Sequence, residues 1–586
     1  MSVEREHWKS QLGFMLACIA SAVGLGNIWR FNYLAYKWGG GTFILVYIFA
    51  ILTAAVPIVI LEYGLGHRFR RVAPLVFRRI SRPLEVIGWI PSVQMVFLVS
   101  YYCVVLAWVL NYLIYAPTLA WGTDTNDFFF NQFLQASDSV WDLKTLIPAI
   151  AISLFAVWFT NWWVISRGLQ QGMELFSKIL MPVLAVLALI LVVRGVTLPG
   201  ADIGIRAYLT PDWTKLGQPR LWVDAFSQIF FSISAAFGIL IAFASYLPRR
   251  TRLVGSAMTL ALANSGYFEI FLGFASFGTL GHLALVSGKP IDEVMASGIG
   301  FAFVAFPEAL SKMPIWPGFF ATCFFLLVFF AGISSSMSLI EAITTIFWDK
   351  FRWARKSILR VFAIFGFVLG LLFVTRAGIY ALDIVDHYIS SYVLLFVGVM
   401  ECVIVGYIWG VDKLIAHLNR QPGIKLQSMF HVIMTYIVPL ILLTIAYFLA
   451  VTNYAKLVPA LERTPEAWLL LGIAHFIVPA IIVVGALALS TWSARCRHNE
   501  QYIALIKYWI PGLLTLIFYQ GWFGEFKEAY GAYPAGALAF FGGGFLLHIV
   551  LLAFILTHSR GHPRLEEELA AEEAALATEE ASVAAA

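Results

Sequence analysis

Fourteen predominantly apolar stretches divide this chain and leave only short polar connections between most of them. A helix crosses the hydrocarbon layer with about 20 such residues. The stretches run from Leu12 to Tyr36, Thr42 to Gly66, Val86 to Ala116, Leu146 to Trp163, Leu175 to Val196, Leu221 to Leu247 and Leu253 to Leu280. They continue from Ile315 to Trp348, Ile358 to Val374, Ile384 to Trp409, Met429 to Val451, Trp468 to Trp492, Ile503 to Phe523 and Pro534 to Thr557. Charge agrees with this pattern. Only 12% of the 586 residues are charged, about half the roughly 25% of a soluble domain. A soluble multidomain protein, a disordered chain and a collagen-like chain are excluded, and an all-α integral membrane fold in the lipid bilayer is expected. Glu4 and Glu6 precede the first stretch and no small-residue cleavage site closes it, so it reads as a retained helix rather than a signal peptide. Cys18, Cys103, Cys323 and Cys402 lie inside apolar stretches and read as small buried hydrophobes, not as a disulfide framework.

Basic residues cluster in alternate loops. Arg5 and Lys9 precede the first stretch, Arg68, Arg70, Arg71, Arg78, Arg79 and Arg82 follow the second, and Arg249, Arg250 and Arg252 follow the sixth. Lys350, Arg352, Arg355 and Lys356 follow the eighth, Arg495 and Arg497 the twelfth, and Arg560 and Arg564 the last. Lys and Arg excess marks cytoplasmic loops, so both termini are expected in the cytoplasm of a multi-pass cell-membrane protein. With a net charge of only +5, the clusters do not suggest a nucleic-acid partner. The Glu- and Ala-rich tail after Arg564 shows no apolar stripe and reads as a solvated or frayed helix.

Two stretches are interrupted near their midpoints. The first contains Ser21-Ala22-Val23-Gly24-Leu25-Gly26-Asn27, and the sixth Ser232-Ile233-Ser234-Ala235-Ala236-Phe237-Gly238. Glycine disfavours helix by about 1 kcal/mol relative to alanine, and both segments set small residues beside side-chain oxygens. Close helix packing through small residues is one reading. The other follows from position, since stretches one and six begin two successive five-helix blocks, and an odd number of spans inverts the second block. Broken helices at matching points of inverted repeats point to a midplane substrate and ion site. Ala331, Ser334 and Ser335 in the eighth stretch are spaced so that one carbonyl and two hydroxyls can face a small cation, although serine clusters also join helices.

Glu6-His7-Trp8, then Ala22-Val23-Gly24-Leu25-Gly26-Asn27-Ile28-Trp29-Arg30-Phe31, then Gly39-Gly40-Gly41 resemble the opening of the neurotransmitter:sodium symporter family. Gln228-Ile229-Phe230-Phe231-Ser232 to Gly238 resembles its sixth helix, Ala331-Gly332-Ile333-Ser334-Ser335 its eighth, and Gly298 to Leu310 its extracellular lid. The likeness runs from about Arg5 to Asn499. It implies a LeuT-type five-plus-five inverted repeat, here with about 14 transmembrane helices and helices 1 and 6 broken at the midplane. Residues 1–196 would form the first repeat, 197–410 the second, 411–500 helices 11 and 12, 501–558 two additional helices, and 559–586 the acidic cytoplasmic tail. The activity implied is sodium-coupled symport of an amino acid by alternating access, without enzymatic chemistry.

The resemblance also implies roles for single residues. One sodium would take the Ala22 carbonyl, Asn27, Ser232, Asn264 and the substrate carboxylate. A second would take the carbonyls of Ala20, Val23 and Ala331 with the hydroxyls of Ser334 and Ser335. The substrate carboxylate would meet the amides of Leu25 and Gly26 and the hydroxyl of Tyr102, and its ammonium the carbonyls near Ala22 and Phe231, beside Ser234. Leu98, Phe231, Phe237, Ser335 and Leu339 would line a pocket for a neutral, small to medium apolar side chain. Family members that carry amines have an Asp where this chain has Gly24, so a zwitterion is expected. Arg30 and Asp386 would pair as an outer gate over Tyr102 and Phe237, and Arg5, Trp8, Tyr246 and Asp349 would form the inner latch.

Some residues depart from the family pattern. Asn32 stands where proline is usual and Ser21 where Asn is frequent. Chloride-independent members carry an acid four residues after the Asn equivalent to Asn264, but here Phe268 occupies that position and Glu269 the next. Either an extra residue bulges the seventh helix or Glu269 faces elsewhere. If it faces Tyr47, Gln228 and Ser232, its charge replaces chloride, and it can take up a proton when sodium leaves. Chloride is therefore not expected to be required. Glu62, Glu341 and Glu401 read as functional acids or as structural hydrogen-bonding groups near helix ends. The two last helices suit homodimer contacts or shielding from lipid, with Gly542-Gly543-Gly544 allowing close approach. A membrane-embedded enzyme lacks any nucleophile or metal motif here. A non-transporting sensor or channel, and a carrier of an osmolyte or ω-amino acid, remain as alternatives on the same fold.

Overall fold

Peptide groups facing lipid must bond within their own segment, so apolar runs of this length fold as helices. The computed structural model describes residues 6–294, 299–444, 468–496, 499–527 and 530–584. Their regular elements are all helices, joined by short loops, with one isolated bridge between Leu146 and Thr375 among the described residues. Among the described residues eleven helices are long and apolar enough to cross a bilayer, or twelve if the bent pair Gln11–Ala22 and Leu25–Lys37 is one span. The count falls short of fourteen for a physical reason in the sixth run, which is divided into Pro219–Ser232 and Ile239–Ala244. Neither piece alone reaches across the hydrocarbon layer. The predicted end of the eleventh run at Val451 and the start of the predicted lid at Gly298 lie outside the described residues.

The first break comes where Val23 and Gly24 leave helical geometry, and the two halves meet at 66°. The second is a run of alternating left-handed residues, with φ of +58° at Ser234, +63° at Ala236 and +76° at Gly238. Left-handed geometry costs a non-glycine residue roughly 1–2 kcal/mol, so Ser234 and Ala236 store strain in the middle of a span. Strain of this kind persists only where surrounding structure enforces it. The two breaks touch, since the Ser234 hydroxyl donates to the Ser21 carbonyl at 3.2 Å. Asn32 donates to the Ser276 hydroxyl at 2.9 Å, tying the outer half of the first helix to the seventh span.

The two C-terminal helices, Glu500–Tyr519 and Ala535–His558, pack on the rest of the bundle. Tyr502 donates to the Pro57 carbonyl at 3.1 Å in the second span. Phe545 meets Phe97 of the third span edge-on at 5.2 Å. Gly542 lies against the Tyr388 ring, where a Cβ would come within 2.5 Å.

The tail departs from expectation. Residues Leu565–Ala584 form a helix in which Leu565 and Leu569 are buried, and Glu566, Glu568 and Glu572 pair with arginines more than 200 residues earlier. A two-residue apolar stripe at i and i+4 is too short to stand out in the sequence. The docked helix follows from partners that local reading cannot see.

Candidate functional site

Between the two breaks lies a small cavity. All of the residues expected to hold the substrate line it, namely Ala22, Leu25, Gly26, Leu98, Tyr102, Phe231, Ser232, Ser234, Phe237, Ser335 and Leu339. Ser21, Gly24, Asn27 and Ile239 line it too. Of these, Asn27 is expected at the first sodium, and Ser21 and Ile239 have no expected role in ligand binding. No lining side chain is charged. Tyr102 is held at the first break, where the Leu25 amide donates to its hydroxyl at 3.2 Å. Gly24 is needed there, because a Cβ would stand 2.9 Å from that hydroxyl and 3.4 Å from the hydroxyl of Ser335.

On one side of the cavity Asn27, Ser232 and Asn264 converge. Asn27 donates to the Ser232 hydroxyl at 3.1 Å and to the Asn264 carbonyl oxygen at 2.8 Å. Asn264 donates to the same hydroxyl at 2.7 Å, and the Gly24 amide donates to Asn27 at 2.9 Å. On the other side the Ser334 hydroxyl lies 3.0 Å from the Ala20 carbonyl and 2.9 Å from the Ala331 carbonyl. Val23 ends the inner half of the first helix, its amide donating to the Ile19 carbonyl at 2.8 Å. Ser335 lines the cavity beside Gly24.

Glu269 resolves the register question of the seventh helix. Residues Leu262–Phe271 form a π-helix, whose wider turn absorbs the extra residue. The fully buried Glu269 carboxylate accepts from Tyr47 at 2.5 Å and from Gln228 at 2.9 Å. Of the other buried acids, Glu341 is paired with Arg355. Glu62 and Glu401 are fully buried; the backbone amides of Gly238 and Ala236 lie against the Glu62 carboxylate.

The outer gate differs from expectation. Arg30 and Asp386 do not pair. The Arg30 guanidinium lies 5.5 Å from the centre of the Phe231 ring, while Asp386 accepts from Tyr101 at 2.7 Å and from Ser390 at 3.0 Å. These nearer partners on their own helices and neighbours satisfy each group and keep the two apart. Phe237 meets Phe231 edge-on at 6.3 Å. At the opposite end the indole of Trp8, 1% exposed, donates to the Phe243 carbonyl at 2.8 Å, and its amide donates to the Tyr246 carbonyl at 3.2 Å. Asp349 accepts from Arg71 at 3.1 Å, a partner that sequence reading missed because an ion pair spanning 278 positions leaves no local signal. Arg5 lies outside the described residues.

Residues 5–127 and 122–494 match the profile of the Sodium:neurotransmitter symporter family. The chain belongs to this family. It is 43% identical over 452 residues to an uncharacterized sodium-dependent transporter of Methanocaldococcus jannaschii, a match covering 77% of this chain and 91% of that one. It is 30% identical over 506 residues to the sodium- and chloride-dependent GABA transporter 2 of Homo sapiens, covering 80% and 83%. The crystal structure of MhsT in complex with L-phenylalanine superposes with a TM-score of 0.66 at 25% identity, covering 88% of this chain and 99% of that chain. Members of this family are sodium-dependent multi-pass membrane transporters, not enzymes.

Proposed function

We propose that this symporter couples inward movement of a neutral, small to medium apolar amino acid to sodium by alternating access. One observation carries the substrate class: the cavity is bounded by two broken helices and lined by no charged side chain. A ligand carrying both charges can be satisfied there by backbone dipoles, its carboxylate at the Leu25 and Gly26 amides and its ammonium at the freed carbonyls. The Tyr102 and Ser335 hydroxyls crowd the Gly24 position, which speaks against a site built around an acidic side chain there. Leu98, Phe237 and Leu339 set an apolar limit on the side chain. MhsT, crystallised with L-phenylalanine, supports this class. The relatives named for GABA support a second reading, an ω-amino acid in the same cavity.

The Asn27, Ser232 and Asn264 cluster, with the Ala22 carbonyl, suits one sodium. The Ala20, Val23 and Ala331 carbonyls with the Ser334 and Ser335 hydroxyls suit another, Ser335 also lining the substrate pocket. These neutral oxygens match the ligand class of a hard cation that must leave again. Glu269, joined to Tyr47 and Gln228, stands in for chloride. Two sodium ions entering with a zwitterion gain about 4.6 kcal/mol at 100 mV, which supports more than about 10³-fold accumulation. Residues 1–196 and 197–410 serve as the two inverted repeats, both termini lie in the cytoplasm, and Arg30 and Asp386 approach each other as the outer path closes.

The test is uptake into proteoliposomes of a panel of radiolabelled amino acids, including γ-aminobutyrate, with sodium or choline outside. Sodium-driven uptake of an apolar α-amino acid is expected. Undiminished uptake in choline would sink the coupling, and selective uptake of γ-aminobutyrate would move the substrate class.

A further inference from the structure

The acidic C-terminal helix covers one end of the bundle and closes on arginines from separate segments. Glu568 accepts from Arg71 at 3.0 Å and Arg352 at 2.7 Å. Glu572 accepts from Arg71 at 2.7 Å and forms an ion pair with Arg79 at 2.8 Å, and Glu566 pairs with Arg78. Leu565 and Leu569 are buried beneath it. The Arg79 guanidinium also donates to the Leu569 carbonyl at 3.0 Å.

Arg71 is the joint between this helix and the inner gate. Its side chain is 3% exposed, and besides the two tail carboxylates it holds the fully buried Asp349. Asp349 accepts in turn from the Val72 amide at 3.2 Å. One helical turn before it, Thr345 shares a hydrogen bond of 2.7 Å with Tyr246, whose carbonyl accepts from the Trp8 amide. A path of bonds, joined between Thr345 and Asp349 by one turn of helix backbone, therefore runs from Trp8 through Tyr246 to Arg71, Glu568 and Glu572.

The additional spans set the tail in place. Lys350, fully buried, donates to Glu85 at 2.7 Å and to the Thr557 carbonyl at 3.2 Å, and so caps the C-terminal end of the last span. The His562 amide returns a bond to the Lys350 carbonyl at 3.0 Å. Only the short stretch from Ser559 to Arg564 separates this anchor from the docked helix.

We propose that the C-terminal helix is an intramolecular latch that holds the Trp8–Asp349 end of the transporter shut, and that this end opens only when Glu568 and Glu572 release Arg71. The proposal rests on the alternating-access reading above. Its chemistry suits a reversible device. The tail carboxylates are partly exposed, at 35% for Glu568 and 41% for Glu572, so their bonds are weak singly and screened by salt. When they let go, Arg71 keeps Asp349, so no buried charge is stranded. The last two spans then serve to deliver the latch to the gate.

Hydrogen exchange of the full chain in lipid nanodiscs tests this. In Glu568→Gln/Glu572→Gln, exchange in Gln11–Ala22 and Ala73–Ile80 is expected to rise about fivefold, the factor that about 1 kcal/mol of lost pairing produces. Glu567→Gln removes one carboxylate of the same helix from an exposed position and should leave both segments unchanged. A faster tail with unchanged exchange in Gln11–Ala22 would overturn the latch, as would equal effects of the control. Should the double variant not fold, raising ionic strength with a choline salt on the unaltered chain must produce the same rise, and a flat response rejects the proposal. Uptake is scored separately: absent sodium-driven uptake by the unaltered protein strikes the transport reading, while exchange still judges the latch.

Discussion

Replacing Gly24 with alanine examines the site at its tightest point. The backbone there, with φ of −136°, accepts any residue, so the effect is one of contact and not of conformation. The new Cβ would sit 2.9 Å from the Tyr102 hydroxyl, closer than such atoms come, and the rigid ring must move. Tyr102 is 8% exposed, so it has little room to do so. The displaced hydroxyl loses the Leu25 amide at 3.2 Å and, in the proposed complex, the substrate carboxylate. A hydrogen bond to a charged group contributes about 1.5–3 kcal/mol, which converts to roughly 10- to 150-fold weaker binding. Sodium-dependent equilibrium binding of a radiolabelled neutral amino acid measures it. Tyr102→Phe removes the same oxygen without crowding and should weaken binding comparably. In the Tyr102→Phe background Gly24→Ala should then add little, because the atom it strikes is gone. Additive losses in this double-mutant cycle would show that the hydroxyl is not the route of the damage and would refute the assignment of the carboxylate to this end of the break.

Other outcomes follow from the same geometry. Ser334→Ala removes the hydroxyl that joins the Ala20 and Ala331 carbonyls and should raise the sodium concentration for half-maximal uptake about tenfold, with maximal rate at saturating sodium less affected; an unchanged sodium midpoint contradicts the second ion site. Sodium-driven uptake should be equal in chloride and gluconate, since Glu269 occupies the Tyr47 and Gln228 partners, and strong stimulation by chloride rejects that role. Docking of the tail should weaken on acidification. Burial alone would raise the Glu568 carboxyl, but hydrogen bonds and charge from Arg352 and Arg71 outweigh it and hold it below the usual carboxylate value. Burial also lowers His562, aided by Arg352 and Arg71 and opposed by Glu568 and Asp349. Both groups therefore bind protons more readily undocked, so docking is complete above the usual histidine value near about 6.5. It falls first as His562 charges and then as pH drops through the lowered Glu568 value. Faster tail-amide exchange at pH 5 than at pH 8, after correction for intrinsic rates, is the expected result, and pH-independent protection would contradict it.

Much of the site was legible in one dimension because it is built from backbone. A helix break needs residues that tolerate it, and Gly24, Gly26 and Gly238 announce it within a few positions. The oxygen donors must then lie on the nearest turns, as Asn27 and Ser232 do. Ser334 was marked by its spacing from Ala331, whereas Asn264 was found only through resemblance to a family, because nothing local marks its approach to Asn27, 237 positions away. Register in the seventh helix was left open, since the sequence admitted either a bulge or another facing for Glu269. Counting along an ordinary helix places Phe268 where the acid belongs, and only the π-turn over Leu262–Phe271 brings Glu269 round to Tyr47.

The amino-acid sequence by itself determined that this chain is a multi-helix membrane protein, because water-free surroundings compel every long apolar run to bond internally, and it marked where two of those runs fail. Tertiary structure alone decided which charges meet. Arg71 could have faced solvent or lipid headgroups, Asp386 could have held Arg30, and the tail could have been free. Each outcome depends on distances between groups far apart in the chain, and Coulomb energy falls with those distances and with exposure to water, neither of which is written in the order of residues.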